Sequence, residues 1–273
     1  MISSSYWSLF RRKHQRIKYL IFIITVGVGI IIASLVICLQ NYTAYFLYSI
    51  PSLLVLRGRF LQIMVYIDHI VMYMEMLNLK LKSVVNCKIR KEHIHLDLNY
   101  DAIESLEYLL QLKNIYNEIY ELVIHFNEFC GWSMFSLFTI NFVDIIVNVY
   151  WIFMTIVDLY PFSMIYFTTS LVMPLIVIVV MICYSGEYCK REHLNTMKFV
   201  QRLLCTSCYD NTTKAYNNLV AEFCTQIKQD PLLITPKEFF TIDLQLLMQI
   251  FAAVVSYVVI LMQFQTLKNE AQN

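Results

Sequence analysis

Charged residues are scarce in this chain. Of its 273 residues, 15% are charged, whereas 58% are hydrophobic; a typical soluble domain carries roughly a quarter charged residues. A soluble enzyme of this length would have to bury more apolar surface than its interior can hold. Glycine and proline are also rare, with five residues each, which excludes collagen-like and low-complexity chains. The composition predicts an all-α, polytopic helical membrane protein.

The sequence also lacks the common motifs of enzymes. It has no Walker A loop, no GxSxG elbow, no HExxH motif and no calcium-binding DxDxDG loop. Cys205 and Cys208 have the spacing of a metal or redox pair, but no second pair accompanies them. His93 and His95 lie in a polar stretch that is typical of a solvated connector. We therefore predict no enzymatic activity, no catalytic residue, no cofactor and no metal site.

Five apolar segments are long enough to cross a bilayer, which takes about 20 helical residues. Residues 19–39 follow a basic segment, residues 1–18, and are too long for the core of a signal peptide. In residues 43–74 an amphipathic repeat predicts one helix that spans the membrane and continues into the cytoplasm. Arg57 and Arg59 interrupt this segment, and we expect them to extend toward an interface. The other predicted spans are residues 132–157, 162–184 and 244–264.

Lysine and arginine are distributed unevenly along the chain. Five precede residue 19, six lie in residues 80–113, seven lie in residues 190–237, and one, Lys268, follows the last span. Because cytoplasmic loops carry an excess of these residues, the amino terminus is predicted to be cytoplasmic. Residues 75–131 and 185–243 would then be long cytoplasmic helical segments, and residues 265–273 an extracellular tail.

The cytoplasmic segments carry helix signals. Asp101 and Glu104 have the spacing of a capping box. Apolar residues then repeat at steps of three and four, which predicts a helix that runs past Gly131 into the third span. A solvated linker helix and a cytoplasmic bundle that holds subunits together both fit this pattern. Pro231 and Pro236 predict a turn before the last span.

Polar residues inside the third span are the first candidates for a functional site. A carboxylate such as that of Asp144 costs about 2.5–3.5 kcal/mol at the centre of a span. Asn141 and Asn148 lie three and four positions away, on the same helical face. The cluster fits a ligand cavity or an interhelical hydrogen-bond cluster, and both alternatives stay open. We predict these residues of the spans as ligand-pocket candidates: Asp144, Asn148, Tyr150, Trp151, Tyr166 and Thr169.

The last predicted span carries a row of small and polar residues among larger apolar ones. In lipid, polar groups of this kind must contact protein or water. Helix packing explains the row, and so does a pore that several copies of the helix line together. The row consists of Gln249, Ala253, Ser256, Ile260 and Gln263.

The end of the chain resembles a known family. Residues 239–244 (FFTIDL) lead to Ser256-Tyr257, five apolar residues and Gln263-Phe264. This is similar to the carboxyl-terminal signature of the insect gustatory receptor family, which has a Thr-Tyr pair, five hydrophobic residues and Gln-Phe. Serine at position 256 keeps the hydroxyl group of the usual threonine.

The resemblance implies a cytoplasmic amino terminus, an extracellular carboxyl terminus and seven spans. It also implies a tetrameric, ligand-gated cation channel like the insect odorant receptors, with a shared cytoplasmic anchor domain and a pore lined by the last span. Ser256, Tyr257, Gln263 and Phe264 would be pore or gate positions. The first span of this chain would correspond to the family's third, so the first two spans would be absent. A fragment, a wrongly assembled gene product and a receptor that cannot bind ligand alone are the three alternatives.

The resemblance therefore predicts a plasma-membrane chemoreceptor that responds to a small-molecule tastant. Its expected partners are membrane lipid and related receptor subunits, in a homo- or hetero-tetramer, and not nucleic acid. Two alternatives belong to other classes. One is a non-conducting membrane adaptor or receptor-assembly subunit, and the other is a transporter that uses Asp144 as its coupling site.

Overall fold

The structure, a computed structural model, describes residues 4–39, 43–93, 106–157, 163–209 and 214–270. Within these ranges the chain forms six α-helices, one short 3-10 helix at Pro236–Glu238, and no strand. The α-helices are α1 (Ser4–Leu39), α2 (Thr43–His93), α3 (Leu106–Ile156), α4 (Ser163–Tyr209), α5 (Lys214–Gln229) and α6 (Leu244–Glu270). The predicted all-α fold is confirmed.

Five of the described helices contain a segment that is long and apolar enough to span a membrane, all except α5. This equals the number of predicted spans. The longest helices, α2, α3 and α4, have 51, 51 and 47 residues. At 1.5 Å per residue they are about 70–77 Å long, more than twice the roughly 30 Å of the hydrocarbon core. Each of the three therefore extends well beyond its membrane-spanning part.

The chain divides into two compact units. The first unit contains Met1–Ile63, Ser133–Cys183 and Leu244–Asn273, and the second contains Met64–Trp132 and Tyr184–Asp243. The first unit holds α1, α6 and the apolar parts of α2, α3 and α4. The second holds α5 and the remaining parts of the three long helices.

One hydrophobic core cluster of the first unit is formed by α3, α4 and α6. Ile145, Leu175, Val254 and Val258 are buried there. Partly buried residues of α3 and α6 pack around this cluster: Phe142, Ile146, Val149, Ile250 and Met262.

A glycine allows α1 to approach α4 closely. Pro174 lies inside α4, and because proline has no N–H, the carbonyl of Ser170 loses its helical donor. A Cβ atom on Gly29 would lie 2.8 Å from the Ser170 oxygen and 2.8 Å from Pro174 Cγ. A Cβ atom on Gly27, by contrast, would meet nothing within 4 Å. The close approach of these helices therefore depends on the missing side chain of Gly29.

The second unit is a helical bundle with its own core. The apolar stripe that the sequence predicts along α3 is buried in it: Leu109, Leu112, Tyr116, Ile119, Val123 and Phe126. The ring of Tyr116 packs edge to face on Phe223 of α5, with 5.7 Å between ring centroids. Phe126 contacts Tyr66 of α2 in the same way at 6.2 Å. The stripe is thus a bundle interface and not the face of a solvated linker helix.

Some predicted features lie outside the described residues. They are the capping-box residues Asp101 and Glu104 and the connector residue His95. Cys208 lies within α4, but its side chain is not described. Within the description α3 begins at Leu106.

Replacing Gly29 by valine should destabilise the protein by about 1–3 kcal/mol, because the added carbons overlap α4. The matched change Gly27→Val, two residues earlier in α1, should leave stability nearly unchanged because a Cβ atom there meets nothing within 4 Å. Thermal unfolding of the purified variants in detergent measures both. Equal midpoints for the two variants would contradict the close α1–α4 approach.

Candidate pore and ligand-binding residues

The last span, α6, has two distinct faces. Ile250, Val254, Val258 and Met262 recur every four residues and pack on the core of the first unit. At 100° per residue, the predicted polar row is centred roughly 160° away from these residues around the helix. The row therefore lies on the side of α6 that faces away from its own chain.

The exposure of the row agrees with this geometry. Gln249, Ser256, Ile260 and Gln263 are exposed, and Ala253 is half-buried. The Ser256 hydroxyl donates to the carbonyl of Ala252 at 2.9 Å, which satisfies it within the helix. The two glutamine amides need partners from outside the helix, and in a membrane these are water or another protein surface.

The other half of the signature lies at the flank of α6. Tyr257 is half-exposed, and its ring packs edge to face on Phe142 of α3, with 6.0 Å between centroids. Phe264 is two helical turns further along on the same side and is 67% exposed. The structure thus separates the four signature residues into two pairs. Ser256 and Gln263 face away from the chain, whereas Tyr257 connects α6 to α3.

The ligand-pocket candidates lie on α3 and α4 of the first unit. The Asn148 side-chain amide donates to the backbone carbonyl of Asp144 at 2.7 Å, so one of its N–H groups is used within α3. The rings of Tyr150 and Trp151 have centroids 6.5 Å apart. Trp151 and Tyr166 are exposed, and the remaining four candidates are half-buried.

Asn141 is the most enclosed member of the polar cluster in the third span. Only 3% of its surface is exposed. Its Nδ2 atom is fully buried and has no hydrogen-bond partner among the described residues. A buried amide without a partner costs about 1–3 kcal/mol, so this position requires a water molecule, a ligand or a movement of its neighbours.

A small cavity of about 20 Å³ in the first unit has room for one water molecule. It is lined by Val26, Gly29, Ile30, Ala33, Arg57, Ser170, Leu171 and Pro174. None of the predicted pocket candidates is among them.

The position of Arg57 differs from the sequence-based expectation. We expected it to extend to an interface, but it is only 6% exposed, because its face of α2 borders the cavity next to α1 and α4. Arg59 points elsewhere, since it donates to Ser133 Oγ at 3.1 Å and to Gln62 Oε1 at 2.6 Å. A charge within an apolar segment marks Arg57 as unusual in the sequence. The segment does not show which side of the helix is enclosed by its neighbours.

In the second unit, the segment that leads from α5 to α6 is fixed in place. Leu232, Ile234 and Ile242 are fully buried. The Asn127 amide of α3 donates to the Leu233 carbonyl at 3.0 Å and to Thr235 Oγ1 at 3.3 Å. Its oxygen accepts the Thr235 backbone N–H at 3.1 Å. One side chain thus satisfies three groups of a segment whose helical structure is limited to the short 3-10 helix Pro236–Glu238.

The α4 side of this segment is held by charge and close packing. Lys190 donates to Asp243 Oδ2 at 2.8 Å, and this hydrogen bond raises the pKa of the Lys190 ammonium group. A Cβ atom on Gly186 would lie 2.0 Å from the Ile242 oxygen, so the two backbones touch there. Burial, together with the charge of Glu192, raises the pKa of the Cys189 thiol to about 12. Cys189 therefore stays a neutral thiol at physiological pH.

A buried polar network joins α2 and α4 in the same unit. Asn78 donates to the backbone and side-chain oxygens of Glu192, both at 2.9 Å. The Thr196 hydroxyl donates to Asn78 Oδ1 at 2.7 Å. Tyr188 also donates to Glu75. These bonds allow polar residues to lie inside the bundle, where an unsatisfied group would be destabilising.

The cysteine and histidine residues do not assemble into a metal site among the described residues. No group of three or more His, Cys, Asp or Glu residues with metal-binding geometry occurs there. Cys205 is exposed with a free thiol, and His93 is the last residue of α2.

The fold and the polar row define a multi-pass helical membrane protein. Residues 4–268 match the model of a family described as the seven-transmembrane chemosensory receptors. Gustatory receptor 39b of Drosophila melanogaster is 30% identical over 247 residues, which is 89% of this chain and 67% of that receptor. Gustatory receptor 23a of the same species is 30% identical over 56% of this chain and 40% of that receptor.

A solved structure shares the fold. It is the insect olfactory receptor OR5 from Machilis hrabei in complex with eugenol, with a TM-score of 0.70 and 14% sequence identity. The alignment covers 96% of this chain and 69% of OR5, so this chain spans about two thirds of the length of that receptor. The chain belongs to the seven-transmembrane chemosensory receptor family, and its relatives are insect gustatory receptors. The predicted membership of the insect gustatory receptor family is confirmed.

His193 of α4 should make stability depend on pH. Burial lowers its pKa, so the folded protein keeps this imidazole neutral while the unfolded chain binds a proton below pH 6.5. Stability is therefore lost as the pH falls below this value, by at most about 1.4 kcal/mol per pH unit for one proton. The variant His193→Gln should flatten the fall in unfolding midpoint between pH 7.5 and 5.5. The control His125→Gln, at an exposed position, should show the same fall in unfolding midpoint as the unchanged protein. If the His193 variant also showed that fall, His193 would not be the group responsible for it.

Proposed function

We propose that the chain is a gustatory-receptor-like chemoreceptor, and that it acts as one subunit of a ligand-gated cation channel in the plasma membrane. The observation that carries this proposal is the polar row of α6, exposed on the side opposite to the core of its own unit. Several copies arranged around an axis would turn these rows toward a shared aqueous path. Water in the path would satisfy Gln249 and Gln263, and a tetramer of related or identical subunits is the assembly we propose.

The proposed mechanism couples a pocket to this path. A small-molecule tastant binds among the spans near Asp144 and Asn148 and favours the open arrangement of the last helices. Tyr257 supports this coupling, since it contacts Phe142 of α3 two residues before Asp144. In this scheme Ser256 and Gln263 line the path, whereas Tyr257 and Phe264 transmit movement at its edge. The polar and apolar rings of α6 then set ion selectivity.

The other pocket candidates are further walls of the same site. Tyr150, Trp151, Tyr166 and Thr169 offer aromatic surface and hydroxyl groups, which suits a small organic ligand. The fold shared with a receptor solved in complex with eugenol supports a ligand of this kind.

A second candidate function is a non-conducting adaptor or receptor-assembly subunit. It is favoured by a polar cleft of about 440 Å³ on the second unit, a surface suited to a polar partner. The cleft is lined by Lys113, Asn114, Asn117, Glu222, Thr225, Gln226, Gln229 and Asp230. Current recordings separate the two candidates, because an adaptor passes no ions.

A positive charge at Gln263 should block cation flow, because the four side chains of a ring would repel cations. We expect Gln263→Lys to lower tastant-evoked current at least about tenfold and Gln263→Leu to change its ion selectivity. Phe251→Leu is the control, since Phe251 is 67% exposed on another side of α6 and should leave currents unchanged. The measurement is whole-cell recording with surface biotinylation to confirm equal expression. Normal current in the Gln263→Lys variant would show that Gln263 does not line the pore.

The proposed threading places the amino terminus in the cytoplasm and the carboxyl terminus outside the cell. An epitope tag after Asn273 should therefore be stained by antibody on intact cells, and a tag before Met1 only after permeabilisation. The reverse staining pattern would refute the threading and, with it, the proposed direction of the pore helix.

A further inference from the structure

Three large aromatic side chains of the second unit are exposed although the unit has a well-packed core. Phe129 is 76% exposed, Trp132 is 60% exposed and Phe239 is 57% exposed. Trp132 and Phe239 pack edge to face, with 5.9 Å between ring centroids. Phe129 lies three residues before Trp132 on α3 and so on the same side of that helix. We call these three residues the aromatic patch.

The backbone around Phe239 is strained, which indicates that its position matters. Lys237 and Glu238 have φ angles of 47° and 62°, in the left-handed region that non-glycine residues rarely adopt. Such residues persist only where their surroundings hold them. Here the Phe239 N–H donates to the Pro236 carbonyl at 3.1 Å. A Cβ atom on Gly131 would lie 3.0 Å from Lys237 N, so α3 packs directly against this turn and fixes it.

The distance of the patch from the hydrocarbon core follows from the rise of α3. Trp132 is the first residue of the predicted third span, so Phe129 lies about 4.5 Å outside that span and Leu122 about 15 Å outside it. The polar interfacial layer on each side of a bilayer is roughly 5–7 Å thick. Phe129 therefore falls within this layer, and Leu122 falls beyond it.

The charges near the patch nearly cancel. Lys237, Glu238 and Glu128 are all exposed, and the guanidinium group of Arg59 donates to Ser133, the residue after Trp132. This gives two positive and two negative side chains. The patch therefore offers no basic surface to an anionic partner. Its recognition chemistry is that of aromatic rings, which favour the boundary between acyl chains and headgroups.

We propose that the aromatic patch inserts into the interfacial layer of the bilayer, and that the turn at Pro236–Phe239 anchors the entry of α6 at a fixed depth. The bilayer is the occupant because the patch continues directly into membrane-spanning segments. Trp132 is followed by the spanning part of α3, and Phe239 lies five residues before the start of α6. This proposal rests on the membrane spans and not on channel activity.

Tryptophan fluorescence in reconstituted vesicles tests the insertion. The chain has three tryptophans, and the variant Trp7→Phe with Trp151→Phe leaves only Trp132. In phosphatidylcholine vesicles, lipid brominated near the headgroup should quench Trp132 more strongly than lipid brominated near the bilayer centre. Aqueous acrylamide should quench it weakly. Absence of quenching by either lipid would overturn the insertion of Trp132.

A matched pair of positions on α3 makes the test sharper. With all three native tryptophans changed to phenylalanine, Phe129→Trp should be quenched by shallow brominated lipid, and Leu122→Trp by acrylamide alone. Leu122 is 42% exposed and lies seven residues earlier on the same side of α3. If position 129 were as open to acrylamide as position 122, the patch would face water. If neither quencher reached it, a second copy or another protein would cover it, and either result overturns the proposal.

Two further measurements separate insertion from other effects. Adding phosphatidylserine should leave the quenching at position 129 unchanged. A several-fold increase in quenching would show that anionic lipid attracts the patch, which contradicts a contact made by aromatic rings alone. The anchor is tested with the substitution Val255→Trp in the middle of α6, again with the three native tryptophans changed to phenylalanine. Phe239→Ser should change the ratio of shallow to deep quenching of this tryptophan, and Phe239→Tyr should not. An unchanged ratio in the serine variant would overturn the anchoring role.

Discussion

The thickness of the bilayer is the constraint on which this structure depends. The hydrocarbon core is roughly 30 Å thick, and helices α2, α3 and α4 are more than twice that length. Whatever part of each helix leaves the membrane loses its lipid environment and must bury its apolar face against protein. The second unit contains the parts of α2, α3 and α4 that we propose to lie outside the membrane. In it the stripe of α3 packs on α5 and α2, and polar networks such as Asn78 with Glu192 lie between the helices.

The segment between α5 and α6 is the part of the second unit that leads into the last span. It has no regular helix for most of its length, so its backbone groups need partners from other elements. Asn127 supplies three of them, and Lys190 fixes Asp243 directly before α6. Gly131 and Gly186 allow the neighbouring helices to reach the backbone of the segment. Helices α3 and α4 therefore both hold this segment within the second unit.

The last span itself is held by few contacts with its own chain. One face packs on α3 and α4 through Val254 and Val258, and the opposite face carries the polar row. A helix with this asymmetry in lipid needs a further protein surface or water. This requirement supports the proposed assembly around a shared path, and the family to which the chain belongs gives it a chemosensory context.

Composition and the lengths of the apolar segments already establish the class of the molecule. Scarce charges and five long apolar segments are enough to define a helical membrane protein, because lipid leaves an isolated segment few alternatives to a helix. The pairs Ser256-Tyr257 and Gln263-Phe264 indicated the family because they lie in the last span and follow the segment FFTIDL at residues 239–244. The heptad-like stripe of α3 also predicted which of its residues are buried, since period and burial are linked in any packed helix.

Which surfaces of the helices face each other follows from their packing and not from the sequence pattern. Arg57 and Arg59 are two residues apart, yet one borders an enclosed cavity and the other bonds to Ser133. Asn127 and Gly131 had no signal in the sequence, because their partners lie more than 100 residues away. Tyr257 and Ser256 are adjacent in the motif but lie on different sides of α6. Periodicity places a residue on a face of its own helix, whereas the packing of the other helices decides what that face meets.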